Sequence, residues 1–462
     1  MSHHAALSEF IHGHAAERAI PGVALGVWVD GHEQYVCHGV TSIDNPLPVD
    51  PDTLFLLGSV TKTYTATALM RLAVEGRVDL EARVREYVNE LVLDDANAAS
   101  RMSVLNLLNH TSGLDWALIF DSGEGDDALA RYVDRLAELP LIAAPGERAS
   151  YSQAGFNLAG RIVEKVTGLT FERALAELIF EPLGLAHSFF ARDDIMTRRF
   201  VVGHNRGQDG ALSIARLWRR ARGDNPGGGL ASSAADQLRW ARFHLGDGRS
   251  ESGIRVLPTQ ALHRMQQRSV ALRGSNLGDA IGISWFLRDI DGVRTLGHGG
   301  SANGQFADLL LVPDRDFAVV ALSNAGPDGI PFNHAVLRWV LEAFLGIRDR
   351  DPEPLPYDPA RARELVGSYT NDAMTFEVIS GPEGLIFDVK LKPELRAKSD
   401  KALPPDPAPM PLGLLPGDGD EYIITGGAFV GQRGFFTRNA SGTIVGVDLA
   451  GRIASRRGSP VA

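Results

Sequence analysis

The position of its β-forming runs restricts the fold of this chain more than any other feature. Residues 22–40 alternate β-formers around the turn pair Asp30-Gly31, the mark of a hairpin. Within the first 350 residues comparable runs return late, at 282–287, 307–312 and 318–323. Between them the apolar spacing is helical. Ala66, Leu69, Met70 and Leu72 share one face of a helix expected over 61–78, and further helices are expected over 128–139, 155–166, 234–245 and 336–344, with another over 5–18. Strands that bracket helices predict one sheet built from both ends of the segment, an α/β sandwich with a helical subdomain.

Residues 351–359 read Asp-Pro-Glu-Pro-Leu-Pro-Tyr-Asp-Pro. They cannot continue a helix and are expected to form a semi-rigid linker. The expected division is therefore a large domain over 1–350, a linker over 351–360 and a small C-terminal all-β domain over 361–462. In the last of these, short β-rich runs separated by Gly, Pro and Asp predict a β-sandwich or barrel, with 410–419 as a long loop.

A formal charge of −11 excludes the broad basic surface that nucleic acids require. The single cysteine, Cys37, forms no internal disulfide, and the chain has neither a CxxC pair nor HExxH, so neither a disulfide framework nor a familiar zinc site is expected. His3, His4, His12 and His14 are expected to lie in a solvated, fraying chain end. Neither a positive segment followed by an apolar one nor a bilayer-length stretch is present, so a cytoplasmic protein with no membrane partner is expected.

The strongest chemical signal is Gly58-Ser59-Val60-Thr61-Lys62, an S-x-x-K pattern that follows the apolar run 54–57 and opens a helix. At i and i+3 the two side chains share a helix face, which puts an amine within reach of the serine hydroxyl. The amine must be neutral to accept a proton. The chain has 6 lysines and therefore 40 arginines (46 − 6), and only Lys62 and Lys165 precede the linker. A lysine in this setting is chosen for what arginine cannot do, which is to lose its proton.

Two further elements fit around that pair. Tyr151-Ser152-Gln153 stands in a loop before a helix, where a phenol can share a proton with the amine and pass it to a leaving group. His298-Gly299-Gly300-Ser301 follows a β-rich run, and its glycines let a substrate approach the backbone, where an N–H can complete an oxyanion hole with that of Ser59.

In this order the three motifs resemble the class C β-lactamase, D-aminopeptidase and carboxylesterase group of the penicillin-recognising serine hydrolases. The stretches 107–114 (LLNHTSGL), 155–168 and 227–233 (GGGLASS) are similar to that group as well, and the resemblance runs from residue 10 to about 345. It implies a β-lactamase-like antiparallel sheet flanked by helices, with Ser59 acylated by substrate and Lys62 and Tyr151 managing protons. It also implies that the N–H groups of Ser59 and Ser301 hold the oxyanion, and that neither a metal nor an organic cofactor takes part.

The sequence departs from the group's pattern twice. Gln153 stands where the second motif usually has Asn, and His298 where the third often has a Lys that pairs with a substrate carboxylate. Loss of that fixed cation favours small esters, amides or short peptides over penicillins. The expected activity is a serine hydrolase working through an acyl-enzyme. The alternatives are a D-amino-acid-specific peptidase or amidase and a penicillin-binding-like sensor that does not turn over. Substrate contacts are expected from Ser301, His298, Gly299, Gly300, Gln153 and Trp116, and a homo-oligomer is possible. The long segments 115–127 and 189–225, with Trp116 and Trp218, are expected to cover the cleft, and a loop of the C-terminal domain, such as 410–419, to reach it.

Overall fold

The computed structural model of the protein describes residues 3–118, 120–207, 209–218, 221–275, 277–371, 373–382, 384–398, 406–449 and 451–458. Its centre is an eight-stranded antiparallel sheet. The strands are β1 (Gly22–Val29), β2 (His32–Gly39), β3 (Val270–Ser275), β4 (Gly278–Ile281), β5 (Phe286–Ile290), β6 (Val293–Ala302), β7 (Gln305–Val312) and β8 (Phe317–Ser323), in the spatial order β2-β1-β8-β7-β6-β5-β4-β3. The first hairpin closes on the last strand through a register that sets Val23 opposite Ser323 and Trp28 opposite Ala318.

Both faces of the sheet are covered, so its central strands are apolar without alternation. Ala24, Ala318, Val320 and Leu322 pack on one face beneath α4 (Ala234–Leu245), in a core that continues into α2 (Thr61–Val74) and α3 (Gln153–Thr167), which pack on each other. Val23, Leu25, Phe317, Val319 and Ala321 pack on the other beneath α1 (His3–Glu17) and α5 (Gly329–Leu345).

The expectation of a fraying histidine-rich end is corrected here. Leu7, Ile11 and Ala15 are buried, and the His14 ring stacks on Phe332, so the first helix is docked. Residues 282–287 are likewise not one strand. Positive φ at Ser284 marks a turn between β4 and β5, and its N–H donates to Leu108 O at 2.9 Å.

The C-terminal part is a closed barrel of eight strands, β9 (Gly367–Thr370), β10 (Met374–Ser380), β11 (Leu385–Leu391), β12 (Met410–Leu414), β13 (Glu421–Ile424), β14 (Arg433–Arg438), β15 (Ile444–Leu449) and β16 (Arg452–Arg456). Phe376, Phe387, Met410, Tyr422, Phe436 and Val447 fill its interior. The expected loop at 410–419 thus begins as a barrel strand. The proline-rich segment is not a free spacer, because Leu355 N–H donates to Leu414 O at 2.7 Å and lays it along β12. Arg273 on β3 pairs with Asp418 and Glu421, which fixes the barrel beside the free edge of the sheet, and Arg288 on β5 grips Asp349 at 2.7 Å just ahead of the linker. Among the described residues no helix is long and apolar enough to cross a membrane.

Candidate active site

Positive φ at Gly58 turns the chain sharply into a short 3-10 turn (Gly58–Val60) that runs directly into α2. A Cβ at Gly58 would lie 2.5 Å from Ser301 N, and one at Gly300 would lie 2.0 Å from Leu57 O and 2.7 Å from Ser59 N. Only glycine permits this approach, and it sets the backbone N–H groups of Ser59 and Ser301 side by side at the head of the helix.

Lys62 is fully buried, with its Nζ 3.1 Å from Ser59 Oγ, 2.6 Å from Gln153 Oε1 and 2.6 Å from Gly227 O. A buried amine needs this set of acceptors to offset its lost hydration. Gly227 was flagged in the sequence only as part of a glycine-rich stretch, and its carbonyl is the feature that reading missed. A Cβ there would sit 2.0 Å from Gln153 Nε2, so the glycine also makes room for the longer amide.

Tyr151 enters from the loop that Ser152 caps onto α3, where Ser152 Oγ accepts from Gly155 N–H at 3.1 Å. Its ring lies 4.9 Å from Lys62 Nζ. Burial pushes the phenol up to about 12, against the pull of the nearby Ser59 hydroxyl and the Arg452 charge, so it stays protonated at neutral pH.

Two histidines flank that ring and both are held neutral. His298 is pushed down to about 3 by burial and then by the Lys62 charge. Its Nδ1–H donates to Gly299 O at 2.7 Å, which leaves the lone pair on Nε2. His110, with centroid 4.5 Å from that of Tyr151, is also driven well down, first by burial and then by Lys62, and its Nδ1 accepts Ser152 N–H at 3.1 Å.

Ser59, Trp116, Gln153, Ser301, Asn303 and Arg452 line a cleft of about 250 Å³. Of the expected substrate contacts, His298 and Gly299 face a separate cavity of about 200 Å³ behind β6. His298 packs on Phe286 at 4.8 Å with its ring 6.4 Å from that of Tyr151, so it stands buried behind the tyrosine rather than in the cleft wall. Trp218 also falls outside the cleft. Its ring packs on Phe200 at 5.8 Å and its Nε1 donates to Val201 O, so only Trp116 of the two tryptophans reaches the opening. Ile119, Gln208, Arg219 and Arg220, within the two long segments, lie outside the described residues.

The C-terminal barrel does reach the site, though through a different loop from the one expected. The turn between β15 and β16 brings Arg452 to 5.0 Å from the Trp116 ring and 5.2 Å from the Tyr151 ring. No motif marks Arg452 in the sequence, and only the closed barrel carries it there. Among the described residues no group of side chains is arranged to hold a metal ion.

The sequence model of the β-lactamase family matches residues 7–341. The chain belongs to the β-lactamase family. Penicillin-binding protein 4 of Amycolatopsis lactamdurans is 34% identical over 77% of this chain and 94% of its own length. A β-lactamase of Yersinia enterocolitica is 30% identical over 50% of this chain and 56% of its own. Among solved structures, SurE superposes with a TM-score of 0.75 at 23% identity, covering 98% of this chain and 99% of its own. A class C β-lactamase of Rhodobacter sphaeroides gives 0.59 at 24% identity over 74% of this chain and 100% of its own. The family's antiparallel sheet with flanking helices is thus the fold expected from the motifs, and the barrel is additional to what the class C enzyme covers.

Proposed function

We propose that this β-lactamase family member is a serine hydrolase that cleaves a small ester, amide or peptide bond through an acyl-enzyme on Ser59. The carrying observation is the 3.1 Å approach of Lys62 Nζ to Ser59 Oγ, with the Tyr151 ring 4.9 Å from the same nitrogen. A neutral Lys62 takes the Ser59 proton as Oγ attacks the carbonyl, and the protonated Tyr151 gives its proton to the leaving group and regains one from Lys62; water then releases the acyl group by the reverse transfer. The N–H groups of Ser59 and Ser301 face the oxygen that becomes negative in both steps.

A D-amino-acid-specific peptidase or amidase is the second reading, and Arg452 favours it. The cation that His298 does not supply stands across the cleft on the barrel, where a free carboxylate of a substrate or acyl acceptor can pair with it. A structure of the fold neighbour SurE is described as containing D-Leu, an amino acid with such a carboxylate. A cytoplasmic location accords with the lone Cys37, and a homo-oligomer with the octameric assembly described for a Pyrococcus abyssi penicillin-binding protein homologue of TM-score 0.65.

The test is a chromogenic acetate ester, followed by product release and intact mass for the wild type and Ser59→Ala. Sustained release with a Ser59-dependent adduct supports the hydrolase. An adduct without turnover favours a sensor, and the absence of both adduct and release overturns Ser59 as nucleophile. D-amino-acid amides then separate the two hydrolytic readings.

A further inference from the structure

The barrel turn that carries Arg452 also touches the backbone of the tyrosine. Tyr151 N–H donates to Gly451 O at 2.7 Å, and a Cβ at Gly451 would lie 3.6 Å from Tyr151 Cβ and 2.2 Å from Leu277 Cδ1. Gly451 has φ +74°, so glycine is needed both for the turn and for the fit. The turn is set in its own strand, because Gly451 N–H donates to Asp448 Oδ1 at 3.2 Å.

Asp448 is an unusual residue to find there. Along β15, Val447 and Leu449 point into the barrel core, so Asp448 points outward, yet it is only 2% exposed. The charged and titratable groups facing it are Arg452 on β16 and Tyr422 on β13, whose hydroxyl donates to the Asp448 carbonyl at 2.6 Å. Burial pushes its carboxyl up to about 7. A carboxyl in such surroundings is costly unless its oxygen has a use that an apolar side chain lacks.

We infer that Asp448 is a positioning residue for Tyr151. Its carboxyl oxygen accepts Gly451 N–H and fixes the turn whose Gly451 carbonyl in turn accepts Tyr151 N–H, so the barrel sets the tyrosine's place beside Ser59. This rests on the reading of Tyr151 as a proton-handling group. Whether the carboxyl is protonated or ionised, Oδ1 accepts the same hydrogen bond, and so does the amide oxygen of Asn.

The full-length chain is assayed with a chromogenic acetate ester as wild type, Tyr151→Phe, Asp448→Ala, Asp448→Leu and Asp448→Asn, with melting temperatures taken in parallel. Removing the acceptor, as Ala or as the space-filling Leu, lowers kcat about tenfold and leaves KM within about twofold, whereas Asp448→Asn stays within about threefold of wild type. Whichever of the Ala and Leu variants folds supplies the comparison. A folded acceptor-free variant within twofold of wild type overturns the assignment, as does an Asn variant that falls as far as Ala. If Tyr151→Phe itself matches wild type, the role given to the tyrosine fails instead, which separates the two claims.

Discussion

Lys62 Nζ donates to Gln153 Oε1 at 2.6 Å, at the position where the related motif usually carries Asn. The extra methylene is accommodated because Gly227 leaves the space beside Gln153 Nε2 open, and the amide nitrogen reaches Asn157 Oδ1 and Asp224 O, both at 3.3 Å. A neutral acceptor at this point leaves the amine free to exchange its proton.

Gln153→Glu therefore sets a carboxylate against Lys62 and favours the charged amine. The kcat/KM at pH 7 is expected to fall by about 10-fold or more. The rate recovers as pH rises, because the amine then loses its proton. Matched pH–rate profiles of the two enzymes check this, and a variant profile parallel to wild type contradicts it.

Gly300→Ala tests the oxyanion site. The added methyl meets Leu57 O and Ser59 N, backbone atoms held between β6 and the head of α2. The two strands of backbone must part, and loss of one donor lowers kcat by about 100-fold or more. Acylation rates with the acetate ester measure it.

Arg452→Gln separates the two substrate readings. A charge-assisted hydrogen bond contributes about 1.5–3 kcal/mol, so KM for a substrate bearing a free carboxylate rises roughly 10- to 100-fold while that for a neutral ester is unchanged. An equal effect on both substrates shows that Arg452 only packs on Trp116 and Tyr151.

His244 makes stability sensitive to acid. It is buried among Trp240, Phe243 and Trp285, and burial pushes it from 6.5 down to about 3. Below pH 6.5 the unfolded chain binds a proton that the folded protein refuses, so stability falls with pH, by about 2 kcal/mol for this residue at pH 5. His298 acts in the same direction. Chemical denaturation at pH 7 and pH 5 is expected to show a loss smaller by about 2 kcal/mol in His244→Leu.

Local pattern made the hairpin at 22–40, the helix at 234–245 and the S-x-x-K pair legible, because each depends on residues close in sequence. The turn at Ser284 was not legible, since its left-handed backbone is fixed by Leu108 from another element. The same holds for the site. Ser59 and Lys62 announce themselves, while Gly227, Asp448 and Arg452 act through positions that only tertiary packing creates.

The pairing of β1 with β8 also bears on how the chain is made. Val23 meets Ser323, 300 positions later (323 − 23), and at roughly 5–20 residues per second a ribosome takes about 15–60 s to supply that partner. Through that interval the first hairpin has its inner edge unpaired, the condition in which nascent strands seek foreign ones. The cleft itself waits longer, for the turn at Gly451. A newborn chain thus carries an open strand edge for most of its synthesis and completes the proposed site only once residue 451 has emerged.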